Sequence, residues 1–150
     1  MTLTSNAAGG GVALRRATGP ATATRPATVS LPYRPESVAA ARCCIRAKLD
    51  EWGLDELVDD ASVIVSELAT NAIRTGCRTR MIITVRRPAE HLVRLLVVDG
   101  SGAMPVMIET GSDATSGRGL AIVHRLTHGC WGVTLLPFGK IVHADLVIAR

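Results

Sequence analysis

The stretch SELATNAIRTG, residues 66–76, reads as the second half of a helix that packs against a hydrophobic core. Apolar residues recur at helical spacing up to and through this stretch, and they are Leu57, Ala61, Ile64, Val65, Leu68, Ala72 and Ile73. Glu67 and Asn71 are four residues apart, so their side chains lie one above the other on the helix. Because burying an unpaired carboxylate is costly, folding alone does not explain why Glu67 stands here.

The segment before this helix predicts a second helix. A short apolar piece, ATVSLP, precedes Pro35, which suits a first helical turn. An amphipathic helix follows and ends at Gly53. The helix that carries Glu67 then begins with Asp55 as its N-cap and ends at Gly76.

The segments after this helix predict two β-hairpins and a third helix. RTRMIITVRR and HLVRLLVVD read as strands joined by a turn at residues 88–90, and WGVTLLP and KIVHADLVI as strands joined by a turn at residues 137–139. A loop from Gly100 to Gly117 and a helix from about Gly119 lie between the hairpins. The expected fold is α+β, a two-layer α/β sandwich in which a mixed sheet of about five strands carries helices on one face.

Composition separates a tail from one domain in this chain of 150 residues. We expect residues 1–26 to form a flexible tail and residues 27–150 to form the domain. Arg15, Arg16 and Arg25 lie in this tail, and residues 31–150 hold 14 basic and 13 acidic side chains. With four aromatic residues and no long basic stripe, the domain is not expected to bind nucleic acid.

The sequence predicts an intracellular protein. It has no apolar run long enough for a signal peptide or a transmembrane helix, so we expect a cytoplasmic chain that does not contact a membrane. None of the four cysteines is in a CxxC pair, and we expect reduced and mostly buried thiols.

Three polar or glycine-containing patches interrupt the core pattern. Glu67 and Asn71 form an exposed helix face or, alternatively, a carboxylate base beside a hard oxygen ligand for Mg²⁺. Asp99 in VVDGSGAMP marks either an ordinary turn or an acceptor for an exocyclic amine at a pocket mouth. Gly117 and Gly119 in SGRGLAIV form either a plain loop or a phosphate cradle at a helix start.

In their order along the chain, the three patches resemble the N box and the two glycine boxes of the Bergerat-type ATP-binding fold of the GHKL superfamily. The sequence is most similar to its small single-domain branch, the anti-sigma factor serine kinases of partner-switching systems and their actinobacterial relatives. The resemblance spans about residues 29–148 and includes SLPYRPESVAAAR, ELATNAIR, VVDGSGAMP, SGRGLAIVHRL, WGV and GKIVHADL.

The resemblance implies a role for each matching residue. Asn71 would bind the Mg²⁺ that bridges the phosphates of ATP, Asp99 would accept the adenine amine, and Gly102 would line the base. Glu67 would be the base that polarises the attacking serine hydroxyl of a protein substrate. Residues 103–116 would form a short lid, and the phosphates would be closed in by Gly117, Arg118, Gly119 and Leu120.

The resemblance therefore implies a protein serine/threonine kinase with ATP and Mg²⁺ as cofactors. Its partners would be a sigma factor and an anti-sigma-factor antagonist of the STAS type, and some relatives form homodimers. The sequence differs from the family pattern at Thr75, where a His is frequent, and at Ile141, where a Thr supports the adenine. These differences motivate an alternative, a non-catalytic regulatory module with weak or no ATP binding that acts by protein contacts. A DNA-binding protein built on the basic tail is a third hypothesis.

Overall fold

A computed structural model describes residues 25–75, 80–100 and 115–149. The predicted tail lies almost entirely outside these residues. Three α-helices and five strands are present in the described part of the chain. In chain order they are β1 (Ala27–Pro32), α1 (Glu36–Glu51), α2 (Val58–Thr75), β2 (Arg80–Ala89), β3 (Leu92–Asp99), α3 (Thr115–Leu126), β4 (Trp131–Leu136) and β5 (Gly139–Val147).

The first two helices form a pair joined by a tight connection. Helix α1 ends two residues before Gly53, which adopts a positive φ of 68° that glycine tolerates best, so the predicted end of the helix is confirmed. Asp55 does not cap the next helix as predicted. It opens a short 3-10 turn (Asp55–Leu57), and α2 begins at Val58 with Asp59 and Asp60 in its first turn. These two carboxylates favour the positive end of the helix dipole.

All five strands form one sheet in the order β1-β2-β3-β5-β4. Every neighbouring pair is antiparallel, so the expected mixed sheet is wrong in this detail. Strands β3 and β4 run in the same direction, but β5 lies between them and pairs antiparallel with both. The first hairpin turns at residues 90–91, two residues later than predicted, because Pro88 and Ala89 extend β2 past an irregularity in the ladder.

The helices cover one face of this sheet, which confirms the two-layer α+β sandwich. Inward residues alternate with outward residues along each central strand, as the buried Val93, Leu95 and Val97 of β3 illustrate. Helix α1 contacts β1 and β2, α2 contacts β3 and β5, and α3 packs on α2. The largest fully buried side chains include Ile45 of α1 and Ile64 of α2. The apolar residues quoted for α2 therefore face the core, as their spacing predicts.

The outward face of the sheet carries a charged cluster. Arg94 donates two hydrogen bonds to Asp145 on the neighbouring strand, with N–O distances of 2.6 and 2.7 Å. This pairing raises the pKa of Arg94. Next to it, burial and then the positive charge of Arg94 lower the pKa of His143, and the Arg86 charge acts in the same direction; Asp145 opposes the shift. His143 is therefore favoured in its neutral form.

The burial of the cysteines and the length of the helices were also predicted from the sequence. Cys43 and Cys130 are exposed and Cys44 is half-buried, so the prediction of mostly buried thiols is wrong for the three described cysteines, although all three are unpaired. The reason for Cys43 is its place on the solvent side of α1. None of the described helices is long and apolar enough to cross a membrane.

Candidate functional site

Helix α2 presents Glu67 and Asn71 on the same side, as predicted from their spacing. Leu68, Ala69 and Ala72 of the same helix are buried in the core, whereas Glu67 and Asn71 are half-buried. The two polar side chains thus lie at the margin of the core, where a ligand can reach them while the helix stays anchored. This placement suits groups that must be positioned firmly and remain accessible.

The end of this helix is held by Thr75. Its hydroxyl donates a hydrogen bond of 3.0 Å to the backbone carbonyl of Asn71, one turn earlier. A threonine hydroxyl in a helix commonly bonds the carbonyl four residues earlier in this way. Thr75, which differs from the family pattern, is therefore hydrogen-bonded to the backbone at Asn71.

Glu67 lies directly against Gly119 of helix α3. A Cβ atom placed on Gly119 would be 3.3 Å from Cδ and 3.6 Å from Cβ of Glu67, and it would overlap the carboxylate oxygen Oε2. Only glycine allows α3 to approach α2 this closely while Glu67 keeps its conformation. The helix face with Glu67 and the glycine motif, predicted separately from the sequence, are therefore in contact.

The glycine motif lies inside a helix, not before it. Helix α3 begins at Thr115, about four residues earlier than predicted, so Gly117 and Arg118 fall in its first turn and Gly119 in its second. The first turn of a helix leaves backbone N–H groups without partners within the helix, and Gly117 belongs to it. A phosphate at this end would therefore meet the backbone around Gly117, whereas the N–H of Gly119 belongs to the helical ladder.

Leu120 differs from its neighbours in the motif because its side chain is fully buried in the core. It anchors the start of α3, and any contact with phosphate would have to involve its backbone. The predicted base-lining Gly102 and most of the predicted lid, residues 103–114, lie outside the described residues.

Asp99 is the last residue of β3 and forms a buried ion pair with Lys140. Its two carboxylate oxygens lie 3.1 and 3.0 Å from the Lys140 ammonium nitrogen. Asp99 is 4 % and Lys140 3 % exposed, and the two residues are direct neighbours across β3 and β5. Buried charges are rarely found unless they are paired, and this pair meets that requirement.

Lys140 is a site residue that the sequence reasoning missed. The inward positions of β5 alternate as Lys140, Val142, Ala144 and Leu146, and all four are buried. A lysine at an inward position of an otherwise apolar strand is a signal for a buried carboxylate partner. The neighbouring Ile141, where the sequence differs from the family pattern, lies on the outward face of the sheet.

The backbone around Asp99 is tightly enclosed. The N–H of Gly100 donates a hydrogen bond of 3.0 Å to the hydroxyl of Tyr33, which follows β1. On the other side, a Cβ atom on Gly139 would lie 2.9 Å from Cα of Gly100 and would overlap the carbonyl oxygen of Asp99. The end of β3, the start of β5 and the segment after β1 therefore meet at Asp99.

The described site thus combines a carboxylate and an amide on one helix face, a glycine in the second turn of α3 against the carboxylate, and a buried acid at a strand end of the same two-layer sandwich. The chain belongs to the histidine kinase-like ATPase domain family, whose sequence model matches residues 31–142. The match includes all the site residues described above, and membership of this family implies ATP binding. A comparison with curated proteins found no significant match.

Proposed function

We propose that this chain is an ATP- and Mg²⁺-dependent protein serine kinase of the anti-sigma factor type. In a partner-switching system it would bind a sigma factor and phosphorylate a STAS-type antagonist on a serine. The observation that carries the proposal is the position of Glu67, one turn from Asn71 on α2 and against Gly119 of α3. The Glu67 carboxylate thus shares a helix face with the proposed metal ligand and contacts the second turn of α3, the helix whose start we propose to bind phosphate.

The side chains of the site fit the requirements of Mg²⁺. The amide oxygen of Asn71 is a hard ligand of the type that this ion prefers. Among the described residues no three acidic, histidine or cysteine side chains cluster, so Asn71 would share the ion with phosphate oxygens and water. When bound, Mg²⁺ would neutralise charge on the phosphates of ATP.

Glu67 has the place of a general base in this proposal. The serine oxygen of the antagonist attacks the γ-phosphorus, the bond to the β-phosphate oxygen breaks, and ADP leaves. The serine proton passes to the Glu67 carboxylate. Phosphoryl transfer depends mainly on positioning and electrostatics, so one base and one metal ligand on a rigid helix are sufficient contributions from α2.

Transfer of labelled phosphate from ATP to an antagonist of the STAS type tests the proposal. Glu67→Gln keeps the size of the side chain and removes the base, so we expect a loss of transfer of at least about a hundredfold with ATP binding retained. Asp60→Asn is the matched control, since Asp60 is an exposed carboxylate on the same helix. Absence of phosphoserine with the wild-type chain, at ATP concentrations that saturate it, would refute the kinase.

A regulatory module that acts only by protein contacts is the second candidate. The ion pair between Asp99 and Lys140 favours it, because the carboxylate expected to accept the adenine amine already has an internal cation as its partner. Calorimetric titration with ATP and Mg²⁺ separates the candidates. Micromolar binding of ATP supports the kinase, whereas binding of a sigma factor without any nucleotide effect supports the module.

A further inference from the structure

The outward face of the sheet carries a patch of apolar side chains, which we call the outer patch. Ile82, Val98 and Ile141 are direct neighbours across β2, β3 and β5, and Leu96 lies beside them on β3. Ile82 is 41 % exposed and the other three are half-buried, while the described helices pack on the opposite side of the sheet. An antiparallel sheet with one face in water normally places polar residues at such positions. Contiguous apolar residues there are typical of an interaction surface.

Arginines border the outer patch at both ends. Arg80 lies two residues from Ile82 on β2, and Arg94 lies two residues from Leu96 on β3. Two residues along a strand span about 7 Å, so each guanidinium group can reach a ligand that lies on the patch. Arg86 is the direct neighbour of Arg94 across β2 and β3 and adds a third cation to the same face.

The outward face has a net positive charge. Among the described outward positions of the strands, the one acidic residue is Asp145, and it is hydrogen-bonded to Arg94. Arg86 is exposed and forms no ion pair with any described residue. The lowered pKa of His143, which also lies on this face, favours its neutral form. Three arginines and one aspartate therefore leave two positive charges in excess.

This charge discriminates between the occupants that could cover the outer patch. A second copy of the chain would bring two positive faces together. Residues 1–26 contain three arginines and no acidic residue, so they carry the same sign. Single-stranded nucleic acid would stack on aromatic side chains, and the described outward strand positions carry none. An acidic protein segment with apolar side chains complements both the patch and the arginines.

We propose that the outer patch and its bordering arginines bind an acidic amphipathic helix of a partner protein. The apolar face of that helix covers Ile82, Val98 and Ile141, and its carboxylates pair with Arg80 and Arg86. Glu67 and Asn71 belong to α2 on the other side of the sheet, so this surface is separate from the proposed phosphoryl-transfer site.

Titration of the isotope-labelled full chain with two synthetic peptides, followed by NMR, tests the surface. Both peptides have about 18 residues with leucines at helical spacing, and the remaining positions are mainly glutamate in one and lysine in the other. We expect the acidic peptide to bind at least about tenfold more tightly than the basic one. The amide signals of Leu96, Val98 and Ile141 should shift, and the affinity should fall as the salt concentration rises.

Two substitutions at exposed positions separate the apolar from the charged contribution. We expect Ile82→Thr and Arg86→Glu each to weaken binding of the acidic peptide by about fivefold or more. Val63→Thr is the matched control for the first, because Val63 on α2 is also 41 % exposed. Arg46→Glu, an exposed arginine on α1, is the control for the second. Both control variants should keep the wild-type affinity.

Several outcomes would overturn the proposal. Equal binding of the two peptides, or signal shifts confined to the helices, excludes the outer patch as an acidic-helix site. An equal loss in Arg46→Glu and Arg86→Glu shows attraction to the chain as a whole. Dimerisation of the chain in analytical ultracentrifugation that Ile82→Thr abolishes assigns the patch to a second copy. Displacement of the acidic peptide by duplex DNA assigns the face to nucleic acid.

Discussion

Gly119 in α3 lies so close to Glu67 in α2 that a side chain at position 119 would overlap the Glu67 carboxylate. The contact joins two motifs that are distant in sequence, and it makes the conformation of Glu67 depend on the absence of a Cβ atom at position 119. A residue proposed as a base is thus held by the packing of two helices.

Gly119→Ala should reveal this contact through stability. Glycine in the interior of a helix is less favourable than alanine by about 1 kcal/mol, so the substitution would ordinarily stabilise α3. Here the new methyl group meets the Glu67 carboxylate, and we expect the free energy of unfolding to stay unchanged or to fall. Urea denaturation followed by circular dichroism measures it.

A double-mutant cycle supplies the control for this substitution. In a Glu67→Ala background the obstructing carboxylate is absent, so Gly119→Ala should stabilise the chain by about 1 kcal/mol. The same gain in the wild-type background would show that the two residues do not compete for space.

The buried ion pair between Asp99 and Lys140 predicts that two single substitutions destabilise the chain more than their combination does. Lys140→Met leaves the Asp99 carboxylate buried without its cation, and breaking a buried pair in this way costs about 3–5 kcal/mol. Asp99→Asn leaves the lysine unpaired and should destabilise by a similar amount. The combined variant has no buried charge, so we expect its free energy of unfolding to recover most of the loss.

Urea denaturation of the three variants measures this coupling. Lys48→Met is the control, since Lys48 is also a buried lysine in an ion pair. Its partner Glu51 is 53 % exposed and solvent can hydrate it after the substitution, so we expect a smaller loss of stability. Strictly additive losses in the double variant would contradict the buried-pair description.

The helices and strands that form the core could be predicted from the sequence because burial imposes a period on them. Helix α2 repeats its apolar residues at helical spacing, and buried and outward residues alternate in β3 from Leu92 to Asp99. The face of each element that packs against the core could therefore be predicted from the sequence. The grouping of Glu67, Asn71 and the glycine motif into one candidate site was a prediction from their order along the chain, which resembles that of a known family. Such predictions use either the spacing of residues close together in the chain or the order of motifs along it.

The start of α3 and the role of Lys140 could not be predicted in the same way. The segment before Gly119 has no apolar period, so local residues do not mark where the helix begins at Thr115. The pairing of Asp99 with Lys140 depends on β5 lying beside β3, a choice of strand order that no local pattern encodes. The antiparallel pairing of all neighbouring strands in the described sheet is a consequence of the same order.

Asn71→Ala should separate metal-dependent from metal-independent nucleotide binding. If Asn71 is a ligand of Mg²⁺, its removal weakens ATP binding in the presence of the ion by about tenfold and has little effect when the ion is chelated. Calorimetry with Mg²⁺ and with a chelator measures both affinities. Arg74→Ala, an exposed change on the same helix, should leave both unchanged, and an equal loss with and without Mg²⁺ would argue against a metal ligand.

His143 on the outward face of the sheet predicts a dependence of stability on pH. Its pKa is lowered from the ordinary 6.5 by burial and by the charge of Arg94, so the unfolded chain binds the proton more readily than the folded chain. The contribution of neutral His143 to the free energy of unfolding is present in full above about pH 6.5. It is lost as the pH falls through the lowered pKa of His143 in the folded chain. Urea denaturation across this range should therefore give a shallower decrease in stability for His143→Asn than for the wild-type chain. His91→Asn, in the exposed turn between β2 and β3, is the matched control, and a His143→Asn profile parallel to that of the wild-type chain would contradict the expectation.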